Sequence, residues 1–118
     1  MKVLVVDDDA VSRLFLQNLL KKFNAEVEVA ENGAQALKKM DGIDLVILDL
    51  LMPIMDGITF MKVLNELMKD KKPPIIAVTT DDTKKEEARK AGADAIFIKP
   101  IPIAEFLTTI EQLTSKAG

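Results

Sequence analysis

Five short apolar runs, at residues 3–6, 27–29, 45–48, 75–78 and 95–98, punctuate this sequence, and a helical pattern follows each one. Every run is of strand length and is bounded by charge, Gly or Pro. The first helical pattern carries Val11, Leu14, Phe15, Asn18 and Leu19 at helical spacing, with Leu16, Leu20 and Phe23 widening the stripe. The second opens after Asn32-Gly33 and aligns Ala34, Leu37 and Met40. The third runs from Ile58 through Met61, Leu64 and Leu67 to Met68. In the fourth, Thr83 with Glu86 three residues on predicts a capping box, and Gly92 predicts the stop. The fifth begins near Pro102 and continues through Ile103, Phe106, Leu107, Ile110 and Leu113. Strands that alternate with helices over so short a chain predict a parallel sheet covered on both faces. Right-handed crossovers leave few ways to build it, and a doubly wound α/β sheet in the order 2-1-3-4-5 is the simplest. A single domain over residues 1–118 is expected, with a frayed tail at residues 115–118.

In such sheets ligands bind beyond the carboxyl ends of the strands, where the strand order reverses. Strand 1 runs into Asp7-Asp8-Asp9, strand 3 into Asp49, strand 4 into Thr79-Thr80 and strand 5 into Lys99-Pro100. Carboxylates, a hydroxyl and an amine therefore converge on one end of the sheet. Composition narrows their chemistry. The chain has no Cys and no His, which excludes disulfides, thiolate metal sites and Ser-His-Asp hydrolysis. Two like charges about 4 Å apart repel by about 4 kcal/mol at an effective dielectric of 20. A cluster of Asp7, Asp8 and Asp49 is therefore costly unless a cation sits among them. An oxygen-only donor set with few carboxylates favours Mg²⁺, which keeps waters and accepts a phosphoryl oxygen. Lys99 can approach as a point charge. A metal and a lysine around a carboxylate are the usual apparatus of phosphoryl transfer, with Asp49 as nucleophile.

Taken singly, each group has a plainer role. Asp9 caps the first helix and Asp56 the third, while Asp81 and Asp82 form a solvated turn. Lys99 alone is a surface lysine, and Thr79 alone is a β-branched strand residue. Only their coincidence at one strand end argues for a site. With a net charge of −3 and no basic stripe, direct nucleic-acid binding is not expected. No apolar stretch approaches the ~20 residues of a membrane span, so a cytoplasmic location is expected.

The sequence resembles the receiver domain of two-component response regulators, nearest in layout to the single-domain chemotaxis type, from Lys2 to about Leu113. The resemblance rests on Val-Leu-Val-Val-Asp-Asp at 3–8, Leu-Val-Ile-Leu-Asp at 45–49, Met-Pro-x-Met-Asp-Gly at 52–57, Val-Thr at 78–79, Ala-Gly-Ala at 91–93 and Lys-Pro at 99–100. It implies a flavodoxin-like (βα)5 fold and an Mg²⁺ site made of Asp7, Asp8, Asp49 and the Leu51 carbonyl. It also implies Asp49 as phosphoacceptor, Thr79 as switch hydroxyl, and Lys99 as phosphate-pairing lysine before a cis peptide bond. The donor implied is the phosphohistidine of a sensor histidine kinase or His-phosphotransfer protein. The output implied is a remodelled face of helix 4, strand 5 and helix 5 that binds a downstream target protein. Such a protein catalyses its own phosphorylation and dephosphorylation but is a signalling protein rather than an enzyme. A monomer is expected, with a dimer on phosphorylation as the alternative.

Rival readings are a phosphorelay intermediate and a pseudo-receiver that binds partners without phosphorylation, although all five site positions are intact. A phosphohydrolase of the haloacid-dehalogenase type would need an Asp where Leu51 stands, and a flavodoxin would need aromatics to stack the flavin. The sequence departs from the receiver pattern at three places. Ile96 stands at the aromatic switch position, with Phe97 one residue away on the other side of the strand. Thr80 stands where Ala or Gly is common and narrows access to Asp49. Leu51 and Asp81 stand where receivers tune hydrolysis, and an apolar Leu51 offers no hydrogen bond to an attacking water. Helix 4, with only Ala88 and Ala91 as anchors, is a candidate for the mobile element; the alternative is that a short Lys/Glu-rich helix is simply a solvated face. Leu51→Asn should shorten the lifetime of a phosphoryl group on Asp49, followed as decay of the phosphorylated mass.

Overall fold

The structure is a computed structural model and describes residues 1–115. Five parallel strands, β1 (Lys2–Val6), β2 (Glu26–Ala30), β3 (Leu45–Asp49), β4 (Ile75–Thr79) and β5 (Ala95–Ile98), lie in the order β2-β1-β3-β4-β5. They alternate with α1 (Ala10–Leu20), α2 (Gly33–Leu37), α3 (Gly57–Met68), α4 (Lys85–Ala91) and α5 (Ile103–Thr114). Sheet order and alternation agree with the sequence pattern. Of the tail expected to fray, Ser115 ends α5, with its N–H donating to the Glu111 carbonyl at 2.8 Å. The rest of that tail lies outside the described residues.

The strand sequences read Val-Leu-Val-Val, Leu-Val-Ile-Leu and Ile-Ile-Ala-Val because both faces of the central strands are covered. Successive side chains go to opposite faces. Val3, Val5, Leu45, Ile47, Ile76 and Val78 meet Leu16 and Leu20 of α1 and Phe106 and Ile110 of α5. Leu4, Val6, Val46, Leu48, Ile75 and Ala77 meet α2, α3 and α4 through Ala36, Phe60, Met61, Leu64, Ala88 and Ala91. Strands β1, β3 and β4 are thus almost wholly dry, while β2 and β5 at the edges are half-buried. On β5, Phe97 packs edge-to-face on Phe106 at 5.4 Å between ring centroids. Its neighbour Ile96 belongs to the opposite core.

Three helices differ from their sequence patterns. On α1 the buried residues are Leu16 and Leu20, whereas Val11 is 75% exposed and Leu14 and Phe15 also face outward. The helix is apolar on more than one face, so spacing alone did not choose the side. The α2 segment is a five-residue helix, so Met40 reaches the core from the loop beyond it. The α4 helix begins at Lys85, not Thr83, after a 3-10 turn at Asp82–Lys84. The Asp81 carboxylate caps that turn by accepting the Thr83 N–H at 3.0 Å and the Thr83 hydroxyl at 2.6 Å. It is therefore a capping residue and not a loose solvated turn. Glu86, expected to reach back to Thr83, pairs instead with Arg89 at 2.6 Å.

Two glycine-region geometries shape the loop after β3. A Cβ on Gly57 would lie 2.8 Å from the Asp49 carbonyl oxygen and 2.8 Å from Leu50 Cα. Only glycine lets the start of α3 pack this closely on the strand end. Upstream, the Met55 N–H donates to the Pro53 carbonyl at 2.8 Å across Ile54, whose φ is 70°. A γ-turn with positive φ at its centre is rare and strained, and more so for a β-branched residue. The Ile54 side chain is 84% exposed and has almost no packing to lose. Relief of the left-handed strain, about 1–2 kcal/mol, exceeds the entropic cost of glycine, about 0.5–1 kcal/mol. Ile54→Gly should therefore raise the urea midpoint by a net stabilisation of about 0.5–1 kcal/mol.

Candidate functional site

The site lies past the carboxyl ends of β1, β3, β4 and β5. Register sets it there: Val6 pairs with Leu48, Asp49 with Val78, and Thr79 with Ile98. Residues one step beyond these pairs therefore share one end of the sheet.

Asp7 is 1% exposed. Its N–H donates to the Ala30 carbonyl at 3.0 Å, which extends the β1–β2 ladder by one residue. Its Oδ1 accepts the Asp9 N–H at 2.9 Å. Its Oδ2 is buried and has no hydrogen-bond partner, the sole such side-chain atom among the described residues. Lys99 Nζ stands 3.6 Å from that oxygen, an ion pair too long for a hydrogen bond. An orphaned carboxylate oxygen in a buried position is expensive, and a cation beside it removes the penalty.

Asp49 is 7% exposed. Its Oδ1 accepts the Leu51 N–H at 3.1 Å, and its Oδ2 lies 3.9 Å from Lys99 Nζ. Asp7, Asp8 and Asp49 each bring a carboxylate oxygen within 4.8 Å of the others. Asp8 is exposed at the mouth. Burial pushes the Asp49 carboxyl up to about 6, and the nearby Asp7 and Asp8 charges add to the rise. The Leu51 N–H and the Lys99 charge oppose it. Three carboxylates thus face one ammonium. A hard divalent cation with oxygen ligands fits this donor set and the unpartnered Asp7 oxygen. Leu51 stands beside the cluster through its main chain, while its side chain is exposed.

Thr79 is fully buried. Its hydroxyl oxygen accepts the Asp81 N–H at 3.1 Å, and its carbonyl accepts the Lys99 N–H at 2.9 Å. The Lys99–Pro100 peptide is cis. Thr80, the next residue, is exposed. Asp9 turns away from the cluster. It caps α1 by accepting the Ser12 hydroxyl at 2.9 Å and the Val11 N–H at 3.3 Å, and those bonds lower its pKa.

Asp81 has a contact with this site beyond the tuning position assigned to it, and Arg13 touches the site although nothing in the sequence pointed to it. Asp81 is bonded to Thr79 through its main chain and caps the turn before α4 through its side chain. Arg13 on α1 donates from Nη1 to the Asp7 carbonyl at 2.7 Å. The signal for Asp81 is an Asp two residues before Thr83, an Asx-turn pattern. For Arg13 the sequence carries none, because a helical arginine is ordinarily solvated.

Known proteins are similar to this chain in sequence and fold. The model of the response regulator receiver domain matches residues 3–111. The transcriptional regulatory protein ResD of Bacillus subtilis is 34% identical over 121 residues, which is 99% of this chain and 49% of ResD. The chain thus spans about half the length of that relative. The chemotaxis response regulator CheY4 of Vibrio cholerae superposes with a TM-score of 0.84 at 34% identity, covering 95% of this chain and 97% of that one. The receiver domain of Ssk1 from Saccharomyces cerevisiae, crystallised with the histidine phosphotransfer signaling protein Ypd1, shares the fold with a TM-score of 0.87. It is 23% identical, with 97% of this chain and 88% of that one covered. A match that takes in every strand and ends inside α5 makes this chain a member of the response regulator receiver domain family.

Proposed function

We propose that Asp49 is the phosphoacceptor of a two-component signalling step, charged from the phosphohistidine of a sensor histidine kinase or a His-phosphotransfer protein. The observation that carries this reading is the state of Asp49: nearly buried, with one oxygen held by a backbone N–H and the other facing a lysine. An Asp49 oxygen attacks phosphorus, the P–N bond of the phosphoimidazole breaks, and its electron pair stays on the departing imidazole. The developing charge lies on the phosphoryl oxygens, where Lys99 can pair with it. Asp7, Asp8, Asp49 and the Leu51 carbonyl would hold Mg²⁺, which supplies neutralisation of the phosphoryl oxygens when bound.

The readout starts at Thr79. Its hydroxyl hydrogen is free to turn toward a phosphoryl oxygen, while its oxygen already accepts from Asp81. Asp81 also caps the turn that precedes α4. A shift of Thr79 therefore pulls on α4 through one main-chain bond and one cap. Ile96 offers no aromatic ring to rotate, so this path takes the place of an aromatic switch. The face of α4, β5 and α5 is the output surface for a downstream protein. Under this reading the chain is a signalling protein of the cytoplasm whose only chemistry is its own phosphorylation and dephosphorylation. Among the described residues, no helix is long and apolar enough to cross a membrane.

Incubation with acetyl phosphate and Mg²⁺ should add the mass of one phosphoryl group to the wild type and nothing to Asp49→Ala. A mass gain that survives in Asp49→Ala sinks the assignment.

The raised Asp49 pKa sets a stability trend as well. The folded carboxyl binds its proton up to about 6, above its ordinary value of 3.8. Its stabilising contribution is complete below the lower value and is lost as pH rises through about 6. Metal-free Asp49→Asn should therefore melt higher than wild type at neutral pH, with the gain shrinking toward pH 4 as measured by calorimetry. A gain that is the same at both pH values would refute a raised pKa.

A further inference from the structure

Three of the four polar groups of Asp7 are tied down by different segments. Ala30 of β2 takes its N–H at 3.0 Å, the Asp9 N–H takes its Oδ1 at 2.9 Å, and Arg13 of α1 takes its carbonyl at 2.7 Å. Only Oδ2 is left, and it points toward Lys99. The Asp7 carbonyl belongs to the peptide that joins Asp7 to Asp8, so its orientation sets where the Asp8 side chain departs. Arg13 is the one side chain bonded to that peptide among the described residues. Its own side chain is 16% exposed, and its second amine lies 3.9 Å from Glu31 on the loop after β2. The guanidinium thus bridges α1, the end of β1 and the β2–α2 loop. A planar fork suits this span better than a flexible ammonium.

We propose that Arg13 is a positioning residue of the carboxylate pocket, fixing the Asp7–Asp8 peptide plane so that the Asp7 and Asp8 carboxylates converge on a divalent cation. This rests on the reading of the pocket as an Mg²⁺ site. Groups that orient the ligands of a metal without touching it commonly change affinity by tenfold or more. Electrostatics alone predicts the opposite sign for Arg13. A nearby positive charge repels Mg²⁺, so its removal would tighten binding. A purely structural tie would lower the melting temperature and leave the affinity of the folded protein unchanged. The direction of the affinity change therefore separates the three roles.

The test is calorimetric titration of magnesium chloride into the whole chain, since there is no Trp or Tyr to report binding. Arg13→Met keeps the buried stem and removes the donors. Arg13→Lys keeps the charge and one donor within reach of the Asp7 carbonyl. Arg13→Met should weaken Mg²⁺ binding by about tenfold or more, and Arg13→Lys should recover most of the loss. Amide exchange at Asp9, whose N–H is bonded to Asp7, should quicken in Arg13→Met and not in Arg13→Lys. Unchanged or tighter binding by Arg13→Met overturns the assignment, as does an Arg13→Lys variant no better than Arg13→Met. Wild type that takes up no Mg²⁺ defeats the metal reading and this inference together. Wild type and Arg13→Met that bind equally defeat the role of Arg13 alone.

Discussion

Mutual repulsion among Asp7, Asp8 and Asp49 is the constraint around which this molecule is arranged. Their carboxylate oxygens lie within 4.8 Å of one another, and two of the three side chains are almost dry. At such spacing each like-charge pair costs about 4 kcal/mol at an effective dielectric of 20. One ammonium, Lys99, stands at 3.6 Å and 3.9 Å from two of them, and it cannot offset three charges. The remainder shows in two places. The Asp49 carboxyl holds its proton to about 6, first through burial and then through its neighbours. The Asp7 Oδ2 is left without a hydrogen bond. Both are signs of a pocket suited to a further cation.

The surrounding fold tolerates this because its backbone is strongly held. Asp7 and Asp49 extend directly from β1 and β3, whose inner residues are completely buried between two layers of helices. Displacement of either carboxylate would break parallel ladder bonds or core packing. Arg13, Leu51 and Asp9 each fix a further atom of the two aspartates through a main-chain bond. The repulsion therefore stays in the pocket and does not relax into a change of shape.

Much of this was legible in the sequence, and the exceptions have physical causes. Strand runs of four apolar residues between turn signals could be located because strands buried on both faces need unbroken apolar sequence. Once the order of the sheet was fixed, Asp7, Asp49, Thr79 and Lys99 fell at its carboxyl end without further information. The face of α1 did not follow, because Val11, Leu14 and Phe15 compete with Leu16 and Leu20 for the core and only packing decides. The start of α4 did not follow either. Thr83 and Glu86 have the spacing of a capping box, but Asp81 captures Thr83 first. Arg13 was hidden for a different reason: its partner is a main-chain carbonyl, and no pattern of residue types marks one.

The site straddles a mechanical boundary in the sheet. Asp7 and Asp49 sit on central strands buried on both faces, whereas Lys99 follows β5, a half-buried edge. Thr79 lies between them and is bonded on one side to Lys99 and on the other to Asp81. Beyond Asp81, α4 covers the sheet with little more than Ala88 and Ala91. It is not free at both ends. Asn65 donates to the Ala91 carbonyl at 2.7 Å, and Lys72 donates to the Gly92 carbonyl at 3.1 Å. These two side chains satisfy carbonyls that a helix end leaves open and tie the C-terminus of α4 to α3 and the loop after it. Ahead of the α4 N-terminus, the turn at Asp82–Lys84 is capped by Asp81, whose N–H is bonded to the Thr79 hydroxyl. Under the proposed function, a disturbance at Thr79 acts on the N-terminal end of a helix whose C-terminal end is tied by Asn65 and Lys72. On that reading the end of α4 nearest the carboxylates is the one that responds, while Asp7 and Asp49 stay on strands buried on both faces.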